Sequence, residues 1–495
     1  MRNTESNTSK VIKGLSSQAL VTIVLGVLEI ISFSILSRLL TQEDFGYYAV
    51  ITAVTTIFAS FSEAGIGSAL IQKKRLDQSY INNAFTISFA FGSVVTLILF
   101  LLATPLAKGI IDSSLELPLR LMSITLLCNC LTSVNISMMH RKLQFMKVGL
   151  INLVALVVTT VVAVILALKG FGFYAILTKA ILSSVISLIF SFIFAKTKYC
   201  FEFKSSTFKS IFSYSGWLMA SGVFRNLSQQ VDRLMMGKLL SVTALGMYNR
   251  PKDFIFQIST KLNSIFDTVL FPVLSSIQDD LQKLRISFAK SLYFLNIFSM
   301  LLSITMIVNS ELIIRIFFGS QWLNVNIIFI IIALSLLFNI DGRLADCYLR
   351  SLGFTKIQFF FRIVETIAKI LGVLVGVNWD VTGVAIGIFL SDAIMKTIKI
   401  SYVSVKLKMP IIDTIKEIMY GWRFLLIVLP IVLVTYILLP QTIAGNCILA
   451  GVFAGSVICV FLLLPKFVGE RYYLQVYPII LEKSKMFSSK LRKKE

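Results

Sequence analysis

The sequence predicts an all-α polytopic membrane protein with about fourteen transmembrane helices. Three observations lead there. Of 495 residues, 56% are hydrophobic and only 15% charged, against roughly 25% charged in a typical soluble protein; mean hydropathy is +0.85. Apolar runs of about 20 residues, the length needed to cross a hydrocarbon core, recur along the chain. Two segments repeat about half a chain apart at points that preserve membrane orientation.

The predicted spans centre near Ile30, Ile57, Val95, Leu127, Val158, Ser184, Ser221, Thr260, Phe298, Ile332, Leu371, Ile388, Ile431 and Val457. The first run is too long for a signal-peptide core and lacks a cleavage site, so the first helix is expected to act as its own insertion signal. Basic residues cluster in alternate connections: Lys10 and Lys13; Lys73, Lys74 and Arg75; Arg141, Lys142 and Lys147; Lys196, Lys198, Lys204 and Lys209; Lys283 and Arg285; Arg350 and Lys356; Lys406, Lys408 and Lys416. Cytoplasmic loops are the ones enriched in Lys and Arg, which places both termini in the cytoplasm. Two connections break the alternation, one with Lys108 and Arg120, the other with Lys238, Arg250 and Lys252. The basic tail after Lys466 is expected to lie along anionic inner-leaflet lipids.

The net charge of +22 therefore reads as topology, and nucleic acid is not an expected partner. Cys128, Cys130, Cys200, Cys347, Cys447 and Cys459 are scattered and His140 is the sole histidine, so no zinc or other metal site is expected. No GxxxxGK[ST] segment occurs, which excludes ATP hydrolysis through that loop.

"RLLTQEDFGYYAV" (38–50) returns as "KLLSVTALGMYNR" (238–250), with Leu39, Leu40, Gly46 and Tyr48 matched by Leu239, Leu240, Gly246 and Tyr248. A second echo pairs "RKLQFMKV" (141–148) with "RSLGFTKI" (350–357). An even helix shift makes these parallel repeats. The expected organisation is a first lobe of six spans over 1–200, a second over 201–408, two further spans over 409–466, and a cytoplasmic tail over 467–495. Two parallel lobes facing a cleft are the skeleton of an alternating-access transporter.

Ionisable groups in a bilayer are costly and normally face a protein interior or a wet cavity. The eighth span carries Arg250, Phe254, Gln257, Lys261, Ser264 and Thr268 on one helical face, bordered by Asp253 and Asp267, with Lys252 beside Arg250 near the helix end. The seventh carries Arg225, Gln229 and Asp232, with Asn226, Gln230 and Arg233 in the next row; the eleventh carries Gln358, Arg362, Glu365 and Lys369. Each stripe also has a plainer reading, as a helix end or as ion pairs at helical spacing. Taken together they predict a shared cationic cavity and an anionic cargo, held by Arg225, Arg233, Arg250, Lys252, Gln257, Lys261, Arg362 and Lys369. Glu29, Glu63, Asp232, Asp267 and Glu365 are the candidates for proton or sodium coupling. Glu29 and Glu63 rank first because no basic residue neighbours them in sequence.

"SRLLTQEDFGYYAV", "SEAGIGSALIQ", "RKLQF" and "NLSQQVDRLMMGKLLSVTALGMYNRP" together resemble the polysaccharide-exporter branch of the multidrug/oligosaccharidyl-lipid/polysaccharide flippase superfamily, the Wzx-type flippases. The resemblance runs from about Gly14 to Lys408 and is nearest to exporters of colanic-acid-like or teichuronic-acid-like polymers. It implies flipping of undecaprenyl-diphosphate-linked oligosaccharide repeat units across the bacterial inner membrane for O-antigen, capsule or exopolysaccharide assembly. It also implies that the diphosphate and sugars enter a cationic cavity while the lipid tail stays in the bilayer. A polysaccharide polymerase and a chain-length regulator are the partners it implies, and ion antiport the energy source. The rival readings are a multidrug or cation antiporter of the same fold and a membrane polysaccharide polymerase. The first should present an acidic or aromatic cavity, the second a large periplasmic loop.

Overall fold

The computed structural model describes residues 7–468 except 63–65, 74–75, 111–112, 266–269, 424, 439–442 and 465–467. In chain order its helices are α1 (Asn7–Leu39), α2 (Gln42–Ser62), α3 (Ile66–Gln72), α4 (Gln78–Ile110), α5 (Glu116–Arg141), α6 (Phe145–Leu168), α7 (Phe173–Ala195), α8 (Ser205–Leu239), α9 (Val242–Ile265), α10 (Phe271–Ser276), α11 (Leu281–Val308), α12 (Ser310–Ile313), α13 (Asn326–Ser351), α14 (Thr355–Gly376), α15 (Asp380–Lys406), α16 (Ile411–Trp422), α17 (Leu425–Leu438) and α18 (Ile443–Leu463). No strand occurs among the described residues.

Every predicted span centre falls inside one of these helices. Ten helical stretches among the described residues, or eleven with the bent pair Ile411–Tyr420 and Leu425–Leu438, are long and apolar enough to cross a membrane. One of the ten, Thr355–Lys406, contains both α14 and α15. The predicted fourteen is larger because α8 and α9, whose apolar runs are broken by charged and small polar residues, are not among these stretches. The protein is a multi-pass membrane protein. Faces such as Val94, Leu97, Ile98 and Leu101 of α4 are exposed, as a lipid-facing surface requires.

By packing, the chain divides into two compact units, Met1–Arg250 with Phe317–Gln321, and Pro251–Ile316 with Trp322–Glu495. The sequence boundaries at 200 and 408 follow internal similarity, a different criterion. In the first unit α4 packs on α5, α5 on α7, α7 on α6, α6 on α1 and α2 on α8. In the second, α15 packs on α14 and α13, α13 on α11, α11 on α16 and α17 on α18.

The first repeat has a structural meaning. Both copies are helix starts. Thr41 caps α2 in a reciprocal box: its N–H donates to Asp44 Oδ2 at 2.9 Å and its Oγ1 accepts from the Asp44 N–H at 3.2 Å. Ser241 Oγ accepts from the Ala244 N–H at 3.0 Å at the start of α9. The two copies also lie against each other. A Cβ on Gly46 would stand 1.9 Å from the Val242 carbonyl oxygen, and one on Gly246 would stand 1.7 Å from that of Gln42. The contacts are reciprocal under the repeat: 46 meets 242 and 246 meets 42.

The second echo is one residue out of register with the structure. Both segments are left-handed turns between helices. The residues at positive φ are Leu143 (55°) and Gly353 (77°). The Leu143 N–H bonds His140 O and that of Gln144 bonds Met139 O; the Gly353 N–H bonds Arg350 O and that of Phe354 bonds Leu349 O. Leu143 therefore corresponds to Gly353, not to Leu352 as the matching letters suggest. Turn geometry, not side-chain identity, is what the two segments share.

The connection from α7 to α8, predicted as a lobe boundary, is an extended strap without a sheet partner. Its polar groups are met by α4. The Gln78 amide donates to Lys198 O at 2.8 Å, Asn82 Oδ1 accepts from the Cys200 N–H at 3.3 Å, and Thr86 Oγ1 accepts from the Glu202 N–H at 3.0 Å. Tyr199 stacks on Phe85 with centroids 4.3 Å apart and donates to Asn135. Backbone left without a ladder must find such partners.

The charge pattern places the segment around Lys416 in a cytoplasmic connection. The structure makes it helix α16, with Ile412, Ile415 and Met419 exposed on one side and Thr414 and Glu417 buried on the other.

Candidate functional site

In the first unit the polar interior is built by α1, α2, α5, α6, α7 and α9. Arg250 is 8% exposed. Its Nε donates to Ser37 Oγ at 3.0 Å, and its Nη2 donates to Ser37 Oγ at 2.6 Å and to Phe33 O at 2.7 Å. The guanidinium carbon lies 3.3 Å from the Phe33 ring centroid and 3.9 Å from that of Phe45. The planar guanidinium suits this seat: two aromatic faces offset its dehydration while in-plane N–H groups reach oxygen. Here it braces α9 on α1 and α2.

Lys179 of α7 donates to Ser32 of α1, which also accepts from Thr160 Oγ1 of α6 at 3.0 Å. Glu29, three residues before Ser32 on α1, is half-buried. One turn along α7 begins a cavity of about 320 Å³ lined by hydroxyl groups: Thr52, Thr55 and Thr56 from α2, Thr125 from α5, and Ser183 and Ser187 from α7. Asn129 adds an amide. No charged side chain lines it among the described residues. A wall of small alcohols above a lysine can bind a polyhydroxylated molecule by hydrogen bonds and an anion by charge.

On α8, Arg225 and Gln229 are exposed, whereas Asp232 is buried and accepts from the Tyr248 hydroxyl at 3.2 Å. Arg233 donates to Gln230 Oε1 at 3.1 Å, and Asn226 donates to Ser60 Oγ at 2.6 Å. Of the eighth-span stripe, Phe254 is buried and Lys252 and Gln257 are half-buried. The side chain of Lys261, and the whole of Glu63 and Asp267, lie outside the described residues.

The second unit gathers charge from α13, α14 and α15. Lys369 pairs with Asp392 at 3.4 Å, Lys396 with Asp392 at 3.3 Å, and Lys399 with Asp346 at 3.3 Å and with Glu365 at 2.5 Å. Lys396 also donates to Asn339. α14 and α15 approach closely above this network: a Cβ on Gly372 would stand 2.5 Å from Gly387 O, and one on Gly376 2.5 Å from Gly383 O. The network joins two predicted residues, Glu365 and Lys369, to four that were not predicted. Arg362, on the same helix, is half-buried and its carbonyl accepts from Thr366. Asp392, Lys396 and Lys399 have the same i, i+4, i+7 spacing used to find the other stripes, so the signal was present. Lys179, Ser183 and Ser187 stand at i, i+4, i+8 on α7 and Thr52 and Thr56 at i, i+4 on α2, so spacing was present here too, but rows of serine and threonine are common in membrane helices and do not single out a site.

A family model described as "Polysaccharide biosynthesis protein" matches residues 35–327, more than half of the chain. The lipopolysaccharide biosynthesis protein WzxC of Escherichia coli K12 is 24% identical over 435 residues, covering 87% of each chain. The teichuronic acid biosynthesis protein TuaB of Bacillus subtilis is 22% identical, covering 68% of this chain and 71% of its own. Among solved structures, the lipid II flippase MurJ in an inward closed conformation superposes with a TM-score of 0.72 at 15% identity, covering 91% of this chain and 99% of its own. An inward-facing multidrug resistance MATE transporter superposes with a TM-score of 0.62 at 11% identity, covering 78% and 94%. The fold is thus the one MurJ and MATE transporters share, and the chain belongs to the polysaccharide biosynthesis protein family.

Proposed function

We propose that this protein is a transporter, not an enzyme, and that it carries polysaccharide repeat units across the membrane. The finer reading is a unit linked through a diphosphate to undecaprenol and flipped from the cytoplasmic to the outer face of a bacterial inner membrane, with both termini cytoplasmic. The observation that carries it is the cavity on α2, α5 and α7: hydroxyl groups on its walls, Lys179 one turn away, and no carboxylate in its described lining. Sugars need hydrogen-bonding partners to leave water, and a diphosphate needs cations; neither crosses hydrocarbon unaided. The names of WzxC and TuaB, both polysaccharide biosynthesis proteins, agree with this cargo. So does a fold shared with a protein named as a lipid II flippase.

Alternation of access between two arrangements of the helices moves the site from one face to the other. Arg225, Arg233, Arg250, Lys252, Gln257, Lys261, Arg362 and Lys369 are proposed to serve the anionic part of the cargo. Glu29, Glu63, Asp232, Asp267 and Glu365 are proposed for proton or sodium coupling. Anionic inner-leaflet lipids, a polymerase and a chain-length regulator are the proposed partners. The multidrug or cation antiporter reading draws on the MATE fold alone; a cationic drug would favour carboxylates or aromatic rings around it.

The test is the sidedness of the lipid-linked oligosaccharide in a deletion strain, with and without this protein restored. Accumulation on the cytoplasmic face, cleared by restoration, supports the reading. Units that reach the outer face but stay unpolymerised would overturn it in favour of a polymerase.

A further inference from the structure

Asp341 of α13 is 4% exposed, and Asn296 of α11 is 1% exposed. The Asn296 Nδ2 group spends its two hydrogens on Leu292 O at 2.9 Å and Asp341 Oδ1 at 3.2 Å. Two acceptors on one side of the amide fix which atom is nitrogen. Asn296 Oδ1 is then buried with no donor to it among the described residues. On their own helices the two residues are flanked by buried apolar side chains: Leu292, Ile297 and Met300 of α11, and Leu337, Ile340 and Leu344 of α13.

Charges on the surrounding helices pair with other groups or stand away from Asp341. On α16, which packs on α11, Lys416 lies 3.9 Å from Asp413, and the remaining charge is the carboxylate of Glu417. On α15, Lys396 packs on the neighbouring Gly342, but its ammonium goes to Asn339 and Asp392. Lys399 of α15 goes to Asp346 and Glu365, and Lys369 of α14 to Asp392. On α11, Lys283 pairs with Asp280, Arg285 lies 3.9 Å from Asp413, Lys290 lies more than one turn before Asn296, and the Tyr293 hydroxyl donates to Val468 O. Asp380 and Lys406 sit at the two ends of α15, Arg362 and Lys356 lie in the first half of α14, α10 has no charged residue, and α12 has Glu311. On α13 itself, Arg343, Asp346 and Arg350 are displaced from Asp341 by two, five and nine positions. No ion pair to Asp341 forms among the described residues.

An ionised carboxylate here would rest on one neutral amide in an apolar surround, which is costly. A carboxylic acid removes the charge and supplies the missing donor. We propose that Asp341 and Asn296 form a proton-binding site. The protonated carboxyl donates through Oδ2–H to Asn296 Oδ1 and accepts from Asn296 Nδ2 at Oδ1, an acid–amide pair that leaves no orphan. Sodium fits poorly, because a hard cation wants five or six oxygens and this pair offers two or three. When α11 and α13 part enough to admit water, the O–H bond breaks and the proton passes to water; closure takes one up. The site thus links proton exchange to helix movement. It does not rest on the proposed cargo.

The test is infrared spectroscopy of the full chain in lipid vesicles, with ¹³C-labelled aspartate to assign carbonyl bands. At neutral pH exposed aspartates are ionised, and the expected result is one protonated-aspartate band that is lost in Asp341→Asn. In Asn296→Leu the band should persist but move to higher frequency, because the carbonyl loses its amide donor. Absence of the band in folded wild-type protein overturns the proposal, as does its survival in Asp341→Asn. If Asp341→Asn does not fold, an unshifted band in Asn296→Leu overturns it. No cargo enters the measurement, so failure here leaves the transport reading intact, and failure of the sidedness assay leaves this site intact.

Discussion

Gly46 and Gly246 hold the same place in two copies of a repeated segment, and each faces the backbone of the other copy's helix start. The distances a Cβ would have to occupy, 1.9 Å from Val242 O and 1.7 Å from Gln42 O, cannot be relieved by turning a side chain. Gly46→Ala and Gly246→Ala are each expected to destabilise the protein at the upper end of the roughly 1–3 kcal/mol of an overpacked site. Thermal unfolding in detergent measures it. The two share one crossing, so the double variant should cost less than the sum of the singles. Additive costs would show that the crossings are independent.

Arg250 is seated between Phe33 and Phe45 with its N–H groups on Ser37 and Phe33 O. Lysine keeps the charge but loses the planar stack and the fork. Arg250→Lys should therefore be destabilising by roughly 1.5–3 kcal/mol, the worth of a charge-assisted hydrogen bond that the ammonium does not remake, and Ser37→Ala by a similar amount. A double-mutant cycle over the pair should show a coupling of about 0.5–3 kcal/mol. If Arg250 also serves the cargo, Arg250→Ala and Lys261→Ala abolish surface polymer while membrane insertion persists. Normal polymer in both would end the cationic-site reading.

These contrasts show what a single sequence can carry. Periodic apolar runs placed the helices, because a bilayer demands long, uninterrupted apolar stretches. The repeat announced itself through Gly46 and Gly246, whose need is backbone proximity and admits no other residue. The second echo misled by one position because Leu143 and Gly353 share a backbone shape while their side chains differ. Charges at helical spacing led to Glu365 and Lys369, whereas Asp346 joins them from another helix. Asn296 and Asp341 are 45 residues apart, and only packing brings them together. The alcohol wall is spread over three helices, and serine or threonine in a transmembrane helix is ordinarily satisfied by its own backbone, so the rows Thr52–Thr56 and Lys179–Ser183–Ser187 do not by themselves announce a cavity.

Lys399 holds two carboxylates, Asp346 and Glu365, with the lysine itself 3% exposed. Lys399→Met leaves both acids buried without that cation, which should cost about 3–5 kcal/mol. Lys369→Met is expected to cost less, because Asp392 keeps Lys396. Adding Asp346→Asn and Glu365→Gln to Lys399→Met should restore most of the stability, since uncompensated charge and not lost attraction is the penalty. Thermal unfolding of the three variants in detergent ranks them. Equal losses at Lys369 and Lys399, or no recovery in the triple variant, would show that the network is not what holds α13, α14 and α15 together.

Glu202 in the strap gives a pH signature outside the membrane. Its carboxylate accepts from Ser79 Oγ at 2.6 Å and pairs with Lys204 at 2.9 Å. The Ser79 hydroxyl and then the Lys204 ammonium hold its pKa below the ordinary glutamate value. The detached strap therefore binds this proton at higher pH than the docked one. The contribution of Glu202 to docking is fully present above the ordinary carboxylate value and is lost as pH falls through the depressed one. Amide hydrogen exchange over residues 197–204, corrected for intrinsic rates, should show protection falling across that acidic window. Glu202→Gln should flatten the profile, because the amide does not titrate. Protection that falls equally in both proteins would assign the pH response to another group and leave the strap held by its contacts with Gln78, Asn82, Phe85, Thr86 and Asn135.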